Sequence, residues 1–76
     1  MVDFVAYVAR QLVDHPDEVR VERTERDGAI VIHLHVANDD VGKVIGRQGR
    51  VVRALRTIVR ASGTKPGERR LLEIAE

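Results

Sequence analysis

Cysteine and tryptophan are absent from the 76 residues, serine occurs once, and Phe4 and Tyr7 are the only aromatics. Without cysteine there is no disulfide and no thiolate-bound zinc, and a reducing compartment suits the chain. No apolar run approaches the ~20 residues that a membrane span needs, and Met1-Val2-Asp3 lacks the basic start of a signal peptide. Membrane insertion and secretion are therefore not expected. Internal repeats and low-complexity tracts are missing as well. With 43% hydrophobic and 33% charged residues, what is there can build a modest core under a heavily solvated surface, and residues 1–76 are expected to form one small domain.

The net charge of +1 conceals a strong asymmetry. Before Gly42 there are nine acidic residues against four arginines, whereas residues 42–70 hold nine basic residues and Glu68 as the single acid. A solvated face usually mixes the signs. A basic block centred on one loop is the electrostatic footprint of a polyanion binder.

Periodicity orders the chain. Residues 2–14 read as an amphipathic helix with Phe4, Val5, Val8, Ala9, Leu12 and Val13 on one face. Tyr7 is expected to pack partly against the protein. His15-Pro16 ends the helix, since the residue before proline is pushed out of helical geometry. Strands over 19–26 and 29–37 meet at Asp27-Gly28, a strong hairpin signal. The second alternates, with Ile30, Ile32, Leu34 and Val36 toward the core and Val31, His33 and His35 on the far face. The two histidines lack a third metal ligand at useful spacing and read as exposed, solvated side chains. Asn38, Asp39 or Asp40 can cap a short helix. A longer helix over 50–61 has Val51, Val52, Leu55, Ile58 and Val59 inward; Ser62-Gly63-Thr64-Lys65-Pro66-Gly67 is a loop; and 69–75 is a last strand with Leu72 and Ile74 inward.

The short and long helices meet at Gly46-Arg47-Gln48-Gly49, preceded by Val44-Ile45 and followed by Arg50-Val51-Val52. Gly46 falls where a left-handed helix cap is expected, a conformation costly for any residue with a Cβ. Gly49 opens the next helix, whose first N–H groups lack partners and carry about half a positive charge. Phosphate could approach those groups closely across two glycines, with Arg47 and Gln48 projecting as donors. Glycine also merely turns many helix–helix connections, so the G-x-x-G acquires meaning from its surroundings.

Those surroundings, V-I-G-R-Q-G-R within the order helix, strand, strand, helix, loop, helix, strand, resemble the KH domains of type II over essentially the whole chain. The resemblance implies an α+β fold with a three-stranded mixed sheet and three helices packed on one face. It further implies a groove for about four unpaired bases. One wall would be the helix pair with its glycine loop, and the other the edge of the second strand. Ile45, Gly46, Arg47, Gln48 and Gly49 match the family pattern; Val44, Ile45 and Val52 would floor the groove. Lys43, Arg50 and Arg53 complete the expected RNA-binding set, while Arg56 reads as a solubilising residue. A free-standing domain of this size is similar to the small bacterial KhpA family. That implies a cytoplasmic RNA-binding protein, sometimes described as an RNA chaperone. It would act as a homodimer or with the larger KH protein KhpB (Jag), linked to cell elongation and division. Neither cofactor nor small-molecule substrate is implied. With aromatics only at 4 and 7, stacking platforms of the RRM or OB type are out of reach, leaving backbone clamping and aliphatic contact.

Catalysis finds no support. Gly42-Lys43-Val44-Ile45-Gly46 lacks the G-K-[ST] ending of a P-loop, the glycine spacing is not that of a dinucleotide fold, and Ser62 sits in no nucleophile motif. Two rivals are an interaction module that dimerises through helices or the outer sheet face, and a binder of single-stranded DNA. The basic segment with its glycines favours RNA over the former.

Overall fold

The computed structural model describes residues 1–63 and 67–75; Thr64, Lys65 and Pro66 of the expected loop lie outside them. Helix α1 spans Val2–Leu12, with Asp3 in its first turn and Arg10 in its last, each complementing the helix dipole. It stops two residues earlier than its apolar pattern suggests, because Val13 is already extended (φ −99°, ψ 161°) and a 3-10 turn follows at Pro16–Glu18.

Strands β1 (Arg20–Arg26) and β2 (Ala29–His35) pair antiparallel from Arg20 opposite His35 to Arg26 opposite Ala29. Asp27 (φ 53°) and Gly28 (φ 77°) are both left-handed, which gives the hairpin turn whose twist matches its strands. After β2 the chain crosses over through α2 (Val41–Ile45) and α3 (Arg50–Ala61) and returns as β3 (Arg69–Ala75), parallel to β2. The sheet order is β1-β2-β3.

Consequently β2 is the central strand, hydrogen-bonded on both sides, and offers no free edge. The expectation that its edge forms one wall of a groove is corrected: β1 and β3 are the edges. The run Ala29-Ile30-Val31-Ile32 explains this. It is apolar on both faces, as a strand flanked on both sides requires, whereas β1 reads Arg-Val-Glu-Arg-Thr-Glu-Arg, and charge protects an exposed edge.

All three helices pack on one sheet face. Val5 and Ala9 of α1, Val44 of α2, and Leu55 and Val59 of α3 close over Ile30, Ile32, Leu34 and Leu72. Among the described residues the opposite face has no helix, yet Val31 is only 1% exposed there, set between Thr24 and Leu71. His33 and His35 are half-buried rather than solvated. His33 shares a 2.8 Å hydrogen bond with the Thr24 hydroxyl and lies 3.6 Å from Glu73, and His35 stands 3.8 Å from Glu22. Two apolar expectations also shift: Tyr7 is 63% exposed, and Ile58, assigned to the core side of α3, is 41% exposed. Ile58 faces a groove between α1 and α3 that Phe4, Val8, Leu12, Val51 and Ala54 also line. Among the described residues, no helix is long and apolar enough to cross a membrane.

Candidate nucleic-acid interface

Helix α2 has five residues and α3 twelve, and a single tight turn at Arg47–Gly49 joins them through Gly46. Gly46 has φ 78° and ψ 171°, a region that is essentially glycine's alone and not the left-handed helical cap anticipated. A Cβ at this position would lie 2.5 Å from Val51 Cγ2 and 3.0 Å from the Val51 amide nitrogen. Glycine at 46 therefore keeps the approach to the N-terminus of α3 open. Gln48 (φ 57°) and Gly49 (φ 72°) are both left-handed. For Gln48 that conformation costs about 1 kcal/mol, so something must hold it.

Arg53 supplies a brace. Its Nη2 donates to the Gln48 carbonyl at 2.9 Å and its Nε to the Gly49 carbonyl at 3.3 Å. These bonds join the first turn of α3 to the two left-handed residues. Among the described residues no side chain caps α3, so its N-terminal dipole faces the loop. Arg47, Gln48 and Arg50 are exposed around it.

The remaining residues expected at the site divide. Ile45 is 38% exposed, but Val44 at 0% and Val52 at 7% belong to the core. The expected aliphatic floor thus reduces to Ile45, because Val44, with Val41 packed beside it, holds the short α2 to the core and Val52 lies on the buried side of α3. Lys43 is exposed and paired with carboxylates, 2.6 Å from Asp14 and 3.6 Å from Asp40. The hydrogen bond to Asp14 and the charges of both carboxylates hold its pKa above the ordinary 10.5, against the opposing effect of desolvation.

Sequence reasoning missed Asp40 as more than a cap. It occupies the N-cap position of α2 without making a cap bond. Its carboxylate, fully buried, accepts instead from the backbone amides of Asp14 (3.2 Å) and His15 (3.0 Å). Burial alone would raise its pKa, but these amides, together with the charges of His15 and Lys43, bring it below the ordinary 3.8. No local signal in Asn38-Asp39-Asp40 separates these roles, since the partners are 25 and 26 residues away.

A second feature lies along α3. Arg53, Arg56 and Arg60 recur at helical spacing and lead from the loop toward the edge strand β3. There Arg56, Arg60 and Arg70 line a cleft of about 110 Å³ together with Leu71 and Leu72. Arg56 is thus one wall of a basic cleft and not an isolated surface residue. Arg70 is fixed by Glu68 (2.7 Å) and by the Ser62 hydroxyl (3.3 Å).

Comparison with known proteins agrees with this architecture. The family model described as "KhpA/KhpB, KH domain" matches residues 2–74. The protein named RNA-binding protein KhpA in Aquifex aeolicus is 51% identical over 97% of this chain and 94% of its own length. The proteins of that name in Treponema pallidum and Bacillus subtilis are 47% and 44% identical, over 97% and 95% of this chain and 92% and 89% of their own. No solved structure matches.

Proposed function

Because the chain belongs to the KhpA/KhpB family of KH domains, we propose that it binds single-stranded RNA by closing the 46–49 loop on the phosphate backbone. One observation carries this reading: the uncapped N-terminus of α3 is left open by the missing Cβ of Gly46. The Gly49 and Arg50 N–H groups donate to the Gly46 and Arg47 carbonyls, so a phosphate seated there meets the positive end of the helix rather than those two donors. Arg47, Gln48 and Arg50 add side-chain donors from the rim. Arg53 chiefly holds the loop in shape, and Ile45 offers an aliphatic surface to a base. From the loop the strand follows Arg53, Arg56 and Arg60 toward the β3 edge. The name carried by the relatives, RNA-binding protein, supports RNA over single-stranded DNA. Chaperone activity in the cytoplasm, with no chemical step, is the corresponding role.

The test is a titration of labelled single-stranded RNA with wild type and an Arg47→Asp, Gln48→Asp double variant at several salt concentrations. Circular dichroism confirms that each is folded. The double variant is expected to bind at least about tenfold more weakly. Its log K against log salt should flatten by roughly 0.7 for each phosphate that the protein no longer neutralises. Equal affinity and equal slope would remove the loop from the mechanism.

The groove between α1 and α3 favours a second, compatible reading, association with a second copy or with a KhpB-like partner. Phe4 and Ile58 are 43% and 41% exposed there, and apolar side chains of that size are commonly covered in an assembly. Sedimentation of wild type and Ile58→Glu decides the homodimer: a dimer that the substitution splits supports it, and a wild-type monomer at tens of micromolar refutes it. Linking two weak RNA-binding units would raise affinity through effective concentration.

A further inference from the structure

We propose that Asp40 is the positioning residue of the loop, fixing α2 against the exit of α1 and thereby setting where Gly46 stands over α3. This rests on the reading of the loop as the RNA clamp. Five residues are too few for a helix that holds itself in water, so the placement of α2 must come from interactions outside it. Val44 in the core and Val41 packed partly buried against it provide an apolar anchor. That anchor resists withdrawal of the helix but is non-directional and tolerates tilt. Direction comes from Asp40.

Its carboxylate is the one buried charged side chain among the described residues. A charge is kept there only if hydrogen-bonded or paired. Asp40 has two backbone donors on consecutive residues, Asp14 and His15, one to each oxygen, with the Lys43 ammonium 3.6 Å away. Two bonds to adjacent amides fix orientation as well as distance. Lys43, nearly one turn further along α2, makes a parallel strut to the Asp14 carboxylate at 2.6 Å. Both struts therefore grip the same short segment after α1. The α2 axis is about 7 Å long, so a tilt of roughly 10° at Asp40 would carry Gly46 by ~1 Å. A binding constellation tolerates about half that.

Lys43 is accordingly a strut and not a phosphate ligand, although it neighbours the loop in sequence and is basic. The two roles differ in what salt does. Removing a cation that neutralises phosphate flattens the salt dependence, whereas removing a strut weakens binding with the number of neutralised phosphates intact.

The test uses wild type, Asp40→Asn, Lys43→Met and the Arg47→Asp, Gln48→Asp double variant. Single-stranded RNA is titrated at several salt concentrations, at a temperature where melting curves put each protein fully in the folded state. Asp40→Asn is expected to bind about five- to tenfold more weakly, as the loss of a charge-assisted bond felt through the loop would give. Its salt slope should equal that of wild type, and the Gly46 and Gly49 amide resonances should move. Lys43→Met should weaken binding about two- to fivefold, again at unchanged slope. Wild-type affinity in both variants overturns the inference, as does a slope flattened by about 0.7 in Lys43→Met, which would make Lys43 a phosphate ligand. If Asp40→Asn does not fold, Lys43→Met decides alone. Should the Arg47, Gln48 double variant bind like wild type, the clamp itself fails and the positioning role falls with it. A weakened double variant beside unaltered Asp40→Asn and Lys43→Met sinks only the positioning role.

Discussion

Replacing Gly46 by alanine is expected to lower the melting temperature by roughly 10–25 °C, far more than the same change at either neighbouring glycine. Two costs combine. A φ of 78° with ψ of 171° costs a residue with a Cβ on the order of 1–3 kcal/mol. The new methyl would also stand 2.5 Å from Val51 Cγ2, 2.9 Å from its Cβ and 3.0 Å from its backbone nitrogen. Valine is stiff at χ1 and its nitrogen belongs to the first turn of α3, so relief requires moving the helix, an overpacking cost of about 1–3 kcal/mol. Gly49 has only a 3.9 Å neighbour at the Cβ position and a φ of 72°, so alanine there should cost about 1 kcal/mol. Gly42, within α2 and with nothing within 4 Å, should accept alanine with a gain of about 0.5–1 kcal/mol. Thermal melts of the three variants check the order. A Gly46→Ala protein as stable as Gly42→Ala would mean that the loop is built differently.

Ile32→Ala should remove a large part of the protein's stability. Ile32 is 0% exposed in the central strand, beneath all three helices. Truncating such a side chain costs about 2–5 kcal/mol, and a chain of this length has roughly 4–11 kcal/mol in total. Chemical denaturation should therefore shift to a much lower midpoint with little change in slope. Two comparisons sharpen the expectation. Arg23→Ala, on the facing edge-strand residue with its side chain about half exposed, should stay within about 0.5 kcal/mol of wild type. Val31→Ala, on the face without helices but 1% exposed, should cost about half as much as Ile32→Ala. A silent Val31→Ala would mean that this face is not packed in solution as it is in the structure.

Much of the fold is legible in the chain because its causes are local. Asp27-Gly28 turns the hairpin since both residues tolerate positive φ. The alternation from Ile30 to Val36 and the helical repeat of Val51, Val52, Leu55 and Val59 record which side meets the core. Gly46 and Gly49 mark the loop because left-handed and glycine-only geometry can be required within four residues of chain. Arg47, Gln48 and Arg50 follow directly, being at the tip of that loop, where exposure is the default.

What depends on distant partners is not legible. A period of two tells which face of a strand is apolar but not which strands lie beside it, so although the doubly apolar start of β2 suits a central strand, nothing in it names β1 and β3 as its neighbours. Charge tells that Lys43 is basic but not that Asp14, 29 residues earlier, receives it. A helical repeat points Ile58 inward, yet the core is closed by Leu55 and Val59, and Ile58 is left facing α1 across a groove. The sequence by itself therefore determined the order of elements, the turn chemistry and the place of the glycine loop, all consequences of backbone preference and spacing over a few residues. Only the tertiary structure decided the strand order, the burial of Val44 and Asp40, and the pairing of Lys43. These arise where segments far apart in the chain compete for the same space and the same hydrogen bonds, and no local pattern records the winner.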